Sequence, residues 1–147
     1  MKVKLNDLVD AIEFHSDEAQ SFIHFKSGEI YRITDEAIRI AEDDDRNYPD
    51  WMQDDMKIAK DYLENENDYR ALPSQYEVNE YQIMEDFASN LEDEDKTNKL
   101  LGKGVFRRFK DAVILLDIDK EWYSYRDERY QQFAREWCEV NEIALEE

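Results

Sequence analysis

The hydrophobic positions of this chain follow two different periods. Leu5, Leu8, Val9 and Ile12 recur at spacings of three, one and three, which is one face of a short helix. Asp17 and Glu18 interrupt that pattern. From 20 to 34 the period falls to two: Phe22, His24 and Lys26 alternate with Ile23 and Phe25, and Glu29-Ile30-Tyr31-Arg32-Ile33 follows Ser27-Gly28. Two β-rich runs about a glycine-containing turn predict an antiparallel hairpin closed near Ser27-Gly28. One of its faces, Phe22/His24 or Ile23/Phe25, is expected to rest on helices.

The helical period then returns. Thr34-Asp35 cap a short helix carrying Ala37, Ile38, Ile40 and Ala41. An acidic connector covers 42–45, and Pro49 opens a helix with Met52, Met56, Ala59 and Leu63 on one face. After a polar break at 65–68, a short strand is predicted over 69–72, ended by Pro73. Ser74-Gln75-Tyr76-Glu77 fits a capping box, in which the serine oxygen accepts an amide and the glutamate reaches back. Tyr81, Met84, Phe87, Ala88 and Leu91 follow it at helical spacing, and Asp93 starts a further turn or helix that ends at Leu101. Val105, Phe106, Phe109, Ala112, Val113 and Leu116 form the clearest apolar stripe. Asp119 caps the last helix, with Tyr130, Phe133, Ala134, Trp137 and Cys138 on one side. Helices are thus expected over 76–91, 105–117 and 120–141, packed together around Met84, Phe87, Phe106, Phe109, Phe133 and Trp137.

These elements predict an α+β fold, mostly helical, with an N-terminal β-hairpin packed on a helical C-terminal half. A lone hairpin is not stable in water, so residues 1–147 are read as one domain. The other division is a small α/β part, 1–66, and a helical part, 74–147. Only 3 Gly and 2 Pro occur, too few turn residues for a long sandwich or barrel. The 41% hydrophobic content supports a packed core despite the 39% of charged residues.

Cys138 is the only cysteine, so no intrachain disulfide can form. No basic segment precedes an apolar stretch in the manner of a signal peptide, and the longest apolar run, 112–116, is far short of the ~20 residues that span a bilayer. A cytoplasmic protein is expected. The net charge of −19 is spread evenly, −10 over 1–73 and −9 over 74–147. Such a charge repels nucleic acid and anionic membranes at long range; a solvated acidic surface is its plain and favoured reading, and a basic partner or mimicry of a nucleic acid are the alternatives. No membrane or nucleic-acid partner is expected.

Gly102-Lys103-Gly104 lacks the upstream glycine, the following Ser or Thr and the preceding strand of a phosphate loop, so it reads as a helix stop and restart. The charge around it is the one local anomaly. Lys96, Lys99, Lys103, Arg107, Arg108 and Lys110 fall in a window, 96–110, that holds no acidic residue. Neutralisation of the protein's own acidic helices is the favoured explanation, because so acidic a chain needs its few cations for it. The alternative is an anion or partner site formed by Lys103, Arg107 and Lys110 on one helical flank, with Arg126 as a further clamp. Arg108 then points away and is expected to pair with an acid on the 76–91 helix. His15 and His24 have no zinc spacing, the acidic runs lack the glycine and terminal glutamate of a calcium loop, and Glu85 and Asp86 point apart. No metal or cofactor is expected, and no nucleophile or general base can be named. Cys138 lies on an apolar stripe and reads as a buried structural thiol.

Leu72-Pro73-Ser74, the run 80–87, Gly102-Lys103-Gly104-Val105-Phe106-Arg107-Arg108-Phe109-Lys110-Asp111, Trp122-Tyr123-x-Tyr125-Arg126-Asp127 and Trp137-Cys138-Glu139-x-Asn141 together resemble a family of small acidic bacterial proteins. It is the uncharacterised protein family numbered zero-one-five-eight in the UPF series. The resemblance spans nearly the whole chain, and 102–111 is its most specific element. It implies a bacterial, cytoplasmic source and brings no activity and no catalytic residues. The functional expectation is therefore an acidic interaction or regulatory protein without catalytic activity. A binder of, or enzyme acting on, a small anionic ligand at 103–110 is the second reading, and nucleic-acid binding or mimicry the third.

Overall fold

A computed structural model describes residues 2–14, 16–43, 47–101 and 108–146. The fold is α+β, with its three-stranded sheet in the first half and a helical second half. In order, the elements are β1 (Lys2–Lys4), α1 (Leu5–Glu13), β2 (Ala19–His24), β3 (Ile30–Thr34), α2 (Asp35–Glu42), α3 (Gln53–Glu64) and β4 (Tyr69–Ala71). Then come α4 (Gln75–Val78), α5 (Glu80–Ser89), α6 (Glu94–Leu101), α7 (Phe109–Leu115), α8 (Asp119–Val140) and β5 (Ala144–Glu146). The chain divides into two compact units, one of residues 1–75 with 134–147, the other of residues 76–133. The C-terminal segment thus belongs with the first unit.

In the first unit, β2 is the central strand, antiparallel to β3 with Phe22 opposite Tyr31 and to β4 with His24 opposite Tyr69. The hairpin turn needs a left-handed residue, and Gly28 supplies it at φ 76°. Alternation along β2 sends Phe22 to the face shared with Ile33 and Tyr69, where Ala37 of α2 and Met56 and Ala59 of α3 pack. Thr34 begins α2 by accepting the Ala37 amide on its Oγ1 at 3.1 Å. The Phe22 face thus rests on helices, as expected, and Ile23 on the opposite face is fully buried as well. A two-stranded parallel pairing of β1 with β5, Val3 opposite Leu145, joins the two ends of the chain. No sequence signal announced it.

In the second unit the helix expected over 76–91 is broken. Asn79 adopts φ 60°, ends α4 and caps α5, its side chain accepting the Gln82 amide. Ile83, Phe87 and Ala88 are the buried face of α5, whereas Tyr81 is exposed and Met84 half-buried. Of the helix expected over 105–117, α7 covers 109–115, and residues 105–107, including Phe106, lie outside the described residues. Asp93 caps α6 as expected, its Oδ1 accepting the Asp95 amide at 2.9 Å. The core of this unit is an aromatic cluster. Phe109 meets Trp122 at 4.7 Å between ring centroids, and Phe87 meets Trp122 at 5.4 Å. On the part of α8 that belongs to this unit Trp122 and Tyr130 are buried and Phe133 half-buried; on its last turns, which belong to the first unit, Ala134 and Cys138 are buried and Trp137 half-buried.

Candidate docking groove in the helical unit

Of the residues expected to bind an anion, Lys103 and Arg107 lie outside the described residues, and Lys110 is exposed on α7. Arg126 is committed elsewhere. Its guanidinium forms an ion pair with Glu80 of α5, its Nε donating at 2.9 Å, and it stacks 4.4 Å from the ring centroid of Tyr130. The Tyr130 hydroxyl donates to the same carboxylate at 2.6 Å. Arg108 is exposed. The expectation that Arg108 pairs with an acid of the 76–91 helix is corrected: among the described residues the ion pairs from that segment are those of Glu80 and Asp86, and they go to Arg126 and Arg129. The cause is position: Trp122, Arg126, Tyr130 and Ala134 lie at spacings of four, so Arg126 sits on the buried line of α8 and must find an internal partner.

One turn further on, Arg129 builds the second link. Its Nη1 donates to Asp86 Oδ2 and to the Tyr125 hydroxyl, each at 2.8 Å. Gln82 Nε2 donates to the other Asp86 oxygen at 2.8 Å. The Arg129 hydrogen bond, helped by Gln82, holds the Asp86 carboxyl below the usual carboxylate range, and Asp86 in turn raises Arg129. Both charges therefore persist at neutral pH, and Tyr125 is fixed with its ring 5.5 Å from that of Phe87.

Tyr125 and Phe87 border an open groove of about 550 Å3 between the end of α5 and the first turns of α8. Phe87 and Leu91 give it an apolar floor, Tyr125 and Ser124 hydroxyls, and Asn90 an amide. Lys120, Glu121 and Glu128 bring charge to its α8 side. The size is that of a small-ligand or side-chain site. Its lining holds no cysteine or histidine, and among the described residues no group of His, Cys, Asp and Glu is arranged to hold a metal ion. Sequence reasoning missed Glu121, Tyr125 and Glu128 because it followed the apolar side of α8. The signal was a polar-aromatic stripe at spacings of four and three on another face.

A second groove, of about 520 Å3, lies in the first unit between Lys2 and Lys4 of β1, Asp7 and Asp10 of α1 and the Ser27–Ile30 turn, and its lining is largely polar. On the nearby sheet, His24 Nδ1 is 3.1 Å from Ser27 Oγ and its ring meets Tyr69 edge-on at 4.8 Å. Tyr69 and Tyr31 donate to Asp61 and Glu29. Burial and the Asp61 hydrogen bond push the Tyr69 hydroxyl far up, and the Glu29 bond raises Tyr31. These phenols stay protonated donors, which suits structure more than proton transfer. Cys138 is buried, and burial alone pushes its thiol up to about 11. Among the described residues no helix is long and apolar enough to cross a membrane.

No family model, curated protein or solved structure matches the chain.

Proposed function

We propose that the protein is an interaction or regulatory module without catalytic activity, and that the groove between α5 and α8 docks a segment of a partner protein. The observation that carries this reading is the Tyr125 ring, pinned by Arg129 and Asp86 beside an apolar floor that is open to solvent. A rigid aromatic held in place before binding gives contact area at little entropic cost. The groove offers hydroxyls, an amide and carboxylates but no activated nucleophile, which suits recognition better than reaction. The reading includes a cytoplasmic setting, supported by a lone buried cysteine and no disulfide. The resemblance to the UPF family adds a bacterial source and no activity. The anion-clamp alternative is weakened by the engagement of Arg126 with Glu80.

The experiment is capture of partners from a lysate of the source cell by the wild-type chain and by Leu91→Arg, which fills the groove with a charged side chain at a half-buried position. Circular dichroism verifies that the variant is folded. A protein retained by the wild type and lost with Leu91→Arg is the expected result. A partner retained equally by both excludes this groove as the docking site.

A further inference from the structure

The charge pattern of the same groove specifies its occupant, an inference that rests on the docking reading above. Glu121, Tyr125 and Glu128 stand four and three positions apart on α8. Over that heptad the face drifts by only about 20°. A rise of 1.5 Å per residue sets the two carboxylates about 10 Å apart along the axis, with the phenol ring between them. Both glutamates are exposed, and among the described residues neither belongs to an ion pair. The cations next in sequence to Tyr125 and Glu128, Arg126 and Arg129, are held by Glu80 and Asp86. Lys120 lines the groove beside Glu121, whereas Arg129 beside Glu128 is paired with Asp86, so Glu128 is the less compensated of the two carboxylates.

We infer that the groove takes a basic amphipathic helix of a partner protein, with two Lys or Arg residues seven apart and an apolar or aromatic side chain between them. A partner helix returns to the same face every seven residues over the same ~10 Å, so both cations reach Glu121 and Glu128 together. The middle side chain then lies on Phe87, Leu91 and Tyr125. An extended strand fits less well, because residues on one of its faces fall about 6.6 or 13 Å apart. The net charge of −19 steers such a segment in and repels acidic competitors.

The test uses the full chain and follows backbone amides 87–91 and 120–128 by NMR during titration with three synthetic peptides. The first is a helical peptide of about 15 residues, with lysines seven apart flanking leucine. The second replaces those lysines with glutamate, and the third keeps the first composition but moves the lysines to opposite faces. Expected are shifts confined to the groove with the first peptide alone. Its affinity should fall about tenfold with Glu128→Gln, less with Glu121→Gln, and progressively with added salt. Equal binding of the lysine and glutamate peptides overturns the basic occupant. Equal binding of the rearranged peptide overturns the helical spacing. If no peptide shifts the groove amides while Leu91→Arg still abolishes capture of the natural partner, the basic helix is wrong and the docking groove stands. If Leu91→Arg also leaves capture unchanged, both fall.

Discussion

At the scale of single residues, the aromatic cluster of the second unit sets the largest energies. Phe109 is 1% exposed and meets both Trp122 and Phe87 edge-to-face. Phe109→Ala removes those contacts and leaves a cavity, so urea unfolding should report a loss of about 3–5 kcal/mol. A loss below about 1 kcal/mol would show that the cluster repacks around the gap. Cys138 gives a prediction with a sign. Its folded pKa of about 11 lies above the value near 8.5 of an unfolded cysteine. The stability this contributes is therefore complete below about pH 8.5 and is lost as pH rises through 11. Native protein at pH 8 should react with a thiol reagent only at the rate of unfolding, and Cys138→Ala should flatten the fall in stability between pH 8.5 and 11. Phe109 and Cys138 were legible in the sequence because each lies on a strong apolar stripe. Trp122 was not, since it is flanked by Glu121 and Tyr123 and its neighbour at a spacing of four is Arg126. Arg126 disguised the buried line of α8 by carrying a charge on it, and the same charge suggested an anion clamp that the Glu80 pairing now accounts for.

At the scale of elements, sequence period located most helices and the hairpin, and missed what depends on one backbone angle or on distant pairing. Asn79 is neither glycine nor proline, so nothing in the period of 76–91 marked a break, yet its φ of 60° separates α4 from α5. Asparagine tolerates this conformation and adds a side-chain cap. Asn79→Gly keeps the angle and loses only the cap, so it should cost a few tenths of a kcal/mol. Asn79→Ala loses the cap and strains the angle, and should cost about 2 kcal/mol. Thermal unfolding of both variants decides the matter: equal costs would mean that the cap alone matters. The β1–β5 pairing was illegible for another reason. Three residues cannot display a period of two, and the partners stand at opposite ends of the sequence, so no turn chemistry connects them. Register on a long loop is a property of the assembled unit, where Val3 and Ile143 are both buried.

At the scale of the whole molecule, the dominant quantity is charge, and it acts on stability and on binding with opposite signs. The chain carries 38 acidic and 19 basic side chains. The pairs Arg126–Glu80 and Arg129–Asp86 are partly shielded, with side-chain exposures of 24–34%, while Lys26 of the pair with Asp68 is 73% exposed. Exposed pairs contribute about 0–1 kcal/mol each and weaken in salt. Self-repulsion among the remaining carboxylates also weakens in salt, and it runs over the whole surface. Raising ionic strength from 0.01 to 0.15 M shortens the screening length from about 30 to about 8 Å. That distance removes repulsion between remote carboxylates but leaves contacts below 4 Å largely intact. The melting temperature should therefore rise with sodium chloride over this range, while affinity for a basic helix falls over the same range. A melting temperature that drops with salt would mean that local ion pairs outweigh the global repulsion. The two trends also separate causes in a binding assay, since salt that loosens the complex while tightening the fold cannot be acting by unfolding the groove.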